Sequence, residues 1–420
     1  MEQLEINEKL EIADILYGKC KECRIKGEND KSWHYFKLAL KIIDGLKLED
    51  FEVKVLLCKL LDEFCIFSYY VDKKEEGLLI SDKLIFDNEA HQIVNIQNIC
   101  RNQKFYMSNL DIKSKKEIKI KCEDNYVAMN PSIIKTEKGY LMNYRTSNFG
   151  LKPGGVYYCR TSDGIINTIN YILELNKDLE VLSKREVIDI SKIKLYNVRP
   201  IKGLEDLIIF NHREDLWGTC TLLDVNDKGV PQIGLCKLEL NEDKYLIKIK
   251  RPFKLIQENR PEKNWLPFSH QDELKLIYGY TPIEIRTPSE LDDSVENLES
   301  KSIITHETEL NFERFRGSAG PIKFELGWLV VIHEVSWNFD NSRVYTHRFV
   351  YFNENFEITK LSEPWYFESH GIEFCRSMCE SHNPEEIIIT CGLRDEEAWC
   401  YIIEKDKILK MLKDLKHFKL

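Results

Sequence analysis

The sequence predicts a two-part α+β chain: a helical domain over 1–112, an all-β five-bladed propeller over 120–405 and a C-terminal helix over 406–420. Three observations carry this reading. Apolar residues fall at helical spacing up to about residue 108, short strand-like runs take over from about 120, and a strand–turn–strand pattern then recurs five times.

In the N-terminal part, IADILYGKCKECRIKG, WHYFKLALKIIDGL, FEVKVLLCKLLDEFCIF and HQIVNIQNICRNQKFYM place apolar residues three and four apart. Charged or Gly-containing breaks, KGENDKS and GLKLED, separate the first three, and no proline interrupts the segment. Stacked helical hairpins of the tetratricopeptide kind fit, especially SWHYFKLALKIIDGL with its small and aromatic positions. A plain helical bundle fits as well. Either arrangement offers a docking surface for a protein partner, with no catalytic motif in view. LDIKSKKEIKI (109–119) is the expected linker, and KDKILKMLKDLKHF near the end returns to the helical pattern.

The strand-like region holds GYLMNYR, DLIIF, YLIKIK, ELKLIYGY, GWLVVIHEV, RVYTHRFVYF and EEIIITCG, punctuated by Gly, Pro, Asn and Asp. Five stretches begin with a polar or small-residue signature, run into an apolar strand, turn, and enter a second strand. They start at Asn130, Glu205, Asn264, Ser318 and Glu373, at intervals of 75, 59, 54 and 55 residues. Each interval accommodates a four-stranded antiparallel unit, which is how a propeller reads in sequence. A sandwich is the alternative, but it gives no reason for a polar signature at the first strand of every unit.

In a propeller the first strands line the axis, so the five signatures converge. The second strands return to the same face, bringing Asn143, Arg145, Thr219, Tyr278, Tyr280, His333, Glu334, Arg394, Asp395 and Glu396 toward it. The adjacent Glu205 and Asp206, set before four apolar residues, are costly to bury unless their charge is used. A cup of carboxylates, Asn and Arg suits sugar hydroxyls, and Trp265, Trp328, Trp337, Tyr278 and Tyr280 are the aromatics nearest the signatures. For any single aromatic, core packing is the stronger reading.

Composition removes other classes. The chain has 420 residues, 43% hydrophobic and 31% charged, as in an ordinary globular protein. Its net charge of −10, with Lys and Arg spread among the acids, does not suit phosphate-backbone binding. No apolar run approaches the roughly 20 residues of a membrane span. The acidic start MEQLEINEKLEI is no signal peptide, and the expected compartment is the cytoplasm. Thirteen cysteines, including the lone CxxC of Cys20 and Cys23, read as reduced thiols. Without an HxxH, HExxH, GxGxxG or P-loop in a supporting context, no metal and no cofactor is expected.

NPSI, GLED before an apolar strand, EKNWLPF, RGSAGPI, VIHEV, YTHRFV and GIEFCRSM occur in that order over roughly 125–405. Together they resemble five-bladed propeller carbohydrate enzymes: the β-mannoside phosphorylases, the β-1,2-mannosyltransferases, and uncharacterised glycosyltransferase-associated proteins of bacteria and large viruses. The resemblance implies that Asp206 donates a proton to a leaving oxygen, with Glu205 beside it on the sugar. It departs at Leu207 and Ile208, where that family has proline and arginine. An arginine for phosphate would have to come from Arg199, Arg316, Arg348 or Arg394.

The expected function is hexosyl or mannosyl transfer from a nucleotide sugar or sugar phosphate to a glycan. The alternatives are a β-mannoside-type phosphorylase or hydrolase, or a glycan-binding module without chemistry. Asp206 and Glu205 are the catalytic candidates. Asn130, Arg145, Asn264, Tyr280, Ser318, His333, Glu334, Arg348, Glu373, Arg394 and Asp395 are the candidates for binding substrate. His333, His347 and His382 each fit either a ligand contact or a packed strand residue, with His333 favoured beside Glu334.

Overall fold

The computed structural model describes residues 5–420 apart from 45, 47–49, 153, 197 and 290–296. The chain divides into two compact units: residues 1–108 with 309–312 and 414–420, and residues 109–308 with 313–413.

The first unit is helical, with Ile6–Ile25, Asn29–Ile43, Phe51–Phe67, Lys74–Phe86 and Ile96–Gln103 as its longer helices. Asp50 and Asn95 cap two of them by accepting from the backbone N–H groups of Glu52 and Asn98. Phe36, Phe64 and Phe67 form an aromatic core, the first two stacked at 4.6 Å. Apolar spacing does not reveal the Lys74–Phe86 helix, because its buried face includes Gly77, Ser81 and Asp82. Asp82 is held there by the Gln103 amide at 2.5 Å. The GLKLED break falls mostly outside the described residues.

The second unit is built from antiparallel strands. Four runs follow the chain: 127–135, 140–147, 166–175 and 181–189; then 205–212, 215–222, 232–241 and 244–252; then 266–270, 273–280, 283–288 and 300–306; then 316–324, 327–337, 343–352 and 358–362. The fifth run, 373–380, 386–393 and 397–404, takes its outer strand from the start of the unit. Ser114–Glu117 pairs antiparallel with it, Ser114 opposite Ile402 and Glu117 opposite Trp399. The expected linker is therefore in part a strand. Its lysines disguise it, as charged residues do on an outermost strand.

The first strands of the five runs contact one another in a closed order that returns from 373–380 to 127–135. Hydroxyls stitch these neighbours where no backbone ladder joins them. Ser132 Oγ donates to Leu207 O at 2.8 Å and accepts from Ile209 N at 3.1 Å. Ser377 Oγ bonds both backbone groups of Ile133, and Ser318 Oγ donates to Cys375 O. Apolar cores lie between adjacent runs. One joins Ile172 to Leu207 and Ile247, and another joins Phe210 and Phe253 to Trp265 and Leu276. Both faces of the intervening sheets are thereby buried.

The C-terminal segment is not one helix. Lys405–Met411 is helical, Leu412 turns extended to begin the strand Leu412–Asp414, and a 3₁₀ turn spans Leu415–Phe418. No described helix is long and apolar enough to cross a membrane.

Candidate functional site

The polar signatures coincide with breaks in strand pairing. Register shifts fall between Met129 and Ser132, between Glu205 and Ile208, and between Cys375 and Ser377. Asn130, Asp206 and Asn264 all have positive φ, at 44°, 53° and 63°. Asn and Asp tolerate this left-handed region better than other side-chain-bearing residues, and a bulge there re-aims the side chain. Gly392, on the strand beside Asn130, makes the room: a Cβ there would come within 2.3 Å of Asn130 Oδ1 and 2.6 Å of its backbone N.

The re-aimed groups meet. Asn130 Nδ2 donates to Asp206 Oδ1 at 2.9 Å, and the buried Arg145 guanidinium donates to the same oxygen. From the fifth run, Arg376 donates to the Asp206 backbone carbonyl at 2.7 Å and to Asn264 Oδ1 at 3.3 Å. One buried arginine thus ties the Asp206 bulge to Asn264, just before the 266–270 strand.

Around this hub lies a cavity of about 430 Å³. Glu205, Asp206 and Asp395 supply its acids, and Arg145, Arg199, Lys263 and Arg343 its bases, with Lys263 Nζ 2.9 Å from Glu205 Oε1. Phe149, Tyr157, Tyr345 and Phe374 supply aromatic surface. Phe149 and Tyr157 sit on a separate two-stranded hairpin, 149–152 with 156–159, and the Tyr157 hydroxyl accepts from Arg343.

The electrostatics separate the two aspartates. Burial by itself would raise Asp206, but the Arg145 and Arg376 guanidinium groups and the Asn130 amide outweigh it and hold the carboxyl well below its usual range. These partners favour the ionised form of Asp206 at neutral pH. Asp395 moves the other way. Burial pushes it up to about 6, with Arg343 and Arg145 opposing and the nearby Asp206 and Glu205 charges assisting. Burial and neighbouring arginines also depress His333 to about 3, keeping it neutral. Its Nδ1 is buried with no hydrogen-bond partner among the described residues.

Of the predicted site residues, the structure brings together Asn130, Arg145, Glu205, Asp206, Asn264, His333 and Asp395 around this cavity. The remaining six lie elsewhere, each for a structural reason. Tyr280 is buried away from the cavity walls, and Ser318 is one of the stitching hydroxyls. Glu334 is buried against Arg314, and Arg348 donates to Ser362 O at 3.1 Å. Glu373 accepts the backbone N–H groups of Phe367, Glu368 and Ser369, while Arg394 pairs with Glu397 outside the cavity.

The other expectations divide in the same way. His347 stacks on Trp365, and His382 Nε2 bonds Gly139 O. Trp265 lies in an apolar core, Trp328 stacks on Phe356, and Trp337 is about half exposed. Among the arginines considered for phosphate, Arg199 lines the cavity and Arg316, Arg348 and Arg394 do not. Leu207 occupies an apolar core, so the cavity's cations come from other strands and loops: Arg145 and Arg343 from strands, Arg199 and Lys263 from loops.

Arg376, Lys263, Arg343, Tyr157 and Tyr345 were not anticipated. Arg376 had a readable signal. The polar signature of the fifth run begins at Glu373, whereas its bulge falls three residues on, at Arg376. The other four stand outside the repeated signatures.

No family model matches the chain, and no curated protein matches it. Several solved structures are similar to the chain over part of its length. One belongs to the GH130 family of mannoside phosphorylases, described as containing glycoside hydrolases that target β-1,2 mannosidic linkages in Candida mannan. It is 11% identical, with a TM-score of 0.48 over 71% of this chain and 96% of that one. The β-1,2-mannobiose phosphorylase from Listeria innocua is 13% identical, with a TM-score of 0.44 over 73% and 96%. MPT-1, a GDP-Man-dependent mannosyltransferase from Leishmania mexicana, is 10% identical, with a TM-score of 0.42 over 70% and 89%. With every TM-score below 0.5, none of these likenesses assigns an activity to the chain.

Proposed function

We propose that the five runs are the blades of a propeller, and that the chain is a carbohydrate-active enzyme. In this reading it transfers a hexosyl unit, mannose by default, between a phosphate-bearing donor and a glycan acceptor. The observation that carries the reading is the cavity, which gathers three carboxylates, three arginines and a lysine beside aromatic faces. Its volume of about 430 Å³ lies within the roughly 300–1,000 Å³ of small-ligand pockets. Carboxylates and Asn accept and donate to sugar hydroxyls, aromatic faces take the CH surface, and arginine forks suit phosphate oxygens.

Asp206 acts here as a fixed negative charge, which stabilises positive charge growing on the sugar ring. Arg145 and Asn130 both bind its Oδ1, and Oδ2 receives no hydrogen bond from a described residue. Asn130, Arg145, Asn264 and His333 hold hydroxyls or phosphate, and Glu205 with Lys263 borders the sugar.

The test is incubation with mannose 1-phosphate, GDP-mannose and manno-oligosaccharides, with products read by mass spectrometry. Product from one donor, lost in Asp206→Asn, supports the reading. Full turnover in that variant ends it. A glycan-binding module without chemistry is favoured by one observation, the apolar Leu207 and Ile208 after Asp206. It predicts binding without product across the panel.

A further inference from the structure

We propose that Asp395, rather than Asp206, is the catalytic residue that carries the proton of the transfer, an inference that rests on the glycosyl-transfer reading above. The two carboxylates share one cavity but differ in what holds them. Asp206 has an amide and a guanidinium on one oxygen and a second guanidinium on its own backbone carbonyl. Asp395 stands in the turn between the 386–393 and 397–404 strands with a φ of 55°, and it is buried at 8% exposure. No described residue donates a hydrogen bond to it. The Arg343 guanidinium lies 3.9 Å away and gives a hydrogen bond to Tyr157 instead.

The groups facing Asp395 come from every neighbouring element: Arg343 and Tyr345, Arg145, Glu205 and Asp206, and Tyr157. Their balance, with burial, leaves the carboxyl near 6, while Asp206 stays ionised. A proton carrier works best with a pKa near the operating pH, and two carboxyls pushed apart divide the acid and charge roles between them.

In transfer from a sugar 1-phosphate, the acceptor oxygen bonds the anomeric carbon while the C–O bond to phosphate breaks. The electron pair of that bond leaves on the phosphate oxygen, and the acceptor proton passes to the Asp395 carboxylate. In the reverse direction the protonated Asp395 returns the proton to the departing sugar oxygen as phosphate attacks.

The experiment uses the full chain labelled with ¹³C at the aspartate carboxyl carbons, together with turnover of mannose 1-phosphate and mannose against pH. The resonance missing from Asp395→Asn should titrate with a midpoint near 6. The one missing from Asp206→Asn should keep its ionised position from pH 4 to 9. Asp395→Asn should lose about 10²-fold or more in turnover, together with the pH-rate limb near 6, and still bind mannose 1-phosphate. Asp395→Glu should recover part of the rate with a shifted limb. An Asp395 resonance ionised down to pH 4, or an unchanged pH profile in Asp395→Asn, overturns the assignment and leaves the glycosyl-transfer reading standing. Absence of product from the wild-type chain overturns that reading, and this assignment falls with it.

Discussion

The first strands of the five runs have two ends, and the ends differ. At one, Asn130, Asp206, Asn264 and Arg376 gather around a charged cavity. At the other, three residues or so further along the same strands, Ile133, Ile208, Phe210, Phe268, Ile322 and Met378 line a depression of about 460 Å³ with three charged side chains, Lys135, Lys323 and Glu380, against seven in the cavity. The strands carry both, so strand identity does not explain the contrast. Pairing does. The charged end is where register slips and φ turns positive, so side chains leave the alternation that otherwise directs them into the sheet-to-sheet cores. Polar residues are affordable there because each finds a partner from another strand.

The contrast can be broken at its strongest point. Asp206→Asn removes the ionised group and should lower turnover about 10²- to 10³-fold, measured by product formation from mannose 1-phosphate. An apolar-end change such as Ile208→Val should leave turnover alone and cost about 1 kcal/mol in urea unfolding.

Arg376→Met tests whether the hub is structural. Its loss leaves the Asp206 carbonyl and the Asn264 amide oxygen without their donor and Asp206 less compensated. A cost of about 3–5 kcal/mol in urea unfolding is expected. A cost under 1 kcal/mol would mean that the five strands hold their bulges unaided.

The pH dependence of stability should carry two opposite signs. Asp206, depressed in the folded state, contributes stability that is complete above the ordinary aspartate pKa of about 3.9 and lost as pH falls through its lower folded value. Asp395, raised to about 6, makes the folded state hold the extra proton. Between about 4 and 6 it therefore costs stability as pH rises, about 3 kcal/mol in all. Unfolding midpoints from pH 3 to 8 check both, with Asp395→Asn removing the upper slope and Asp206→Asn the lower.

Smaller effects sharpen the picture. Gly392→Ala pushes a methyl against the Asn130 backbone and should weaken binding of mannose 1-phosphate by several fold in calorimetry while the chain stays folded. Ser318→Ala should cost about 1–2 kcal/mol, because the Cys375 carbonyl loses its donor, with ligand affinity unchanged. A fall in affinity there would return Ser318 to the site.

Much of the β unit was legible because alternation and turn residues repeat. The recurrence placed all five first strands, and the acidic pair before LIIF lies on the cavity wall. What stayed hidden follows from the same physics. A bulge has no fixed residue type, so Glu373 drew attention that belonged to Arg376. Ser318 looked like a binding group because a hydroxyl that stitches strands and one that binds sugar are identical in sequence. Arg343 and Tyr157 reach the cavity from a third strand and an inserted hairpin, which no local pattern connects. The Lys74–Phe86 helix was missed because polar residues occupy part of its buried face.

Residues 114–117 lie nearly three hundred positions before their partner strand. A ribosome must deliver almost the whole chain before the last sheet has its outer edge, so closure comes late in synthesis and joins segments with one of the longest loops in the molecule. A fragment cut at residue 120, where the sequence alone would place the boundary, would leave Trp399 to Ile402 as an open edge able to pair with the same bare edge of a neighbouring copy.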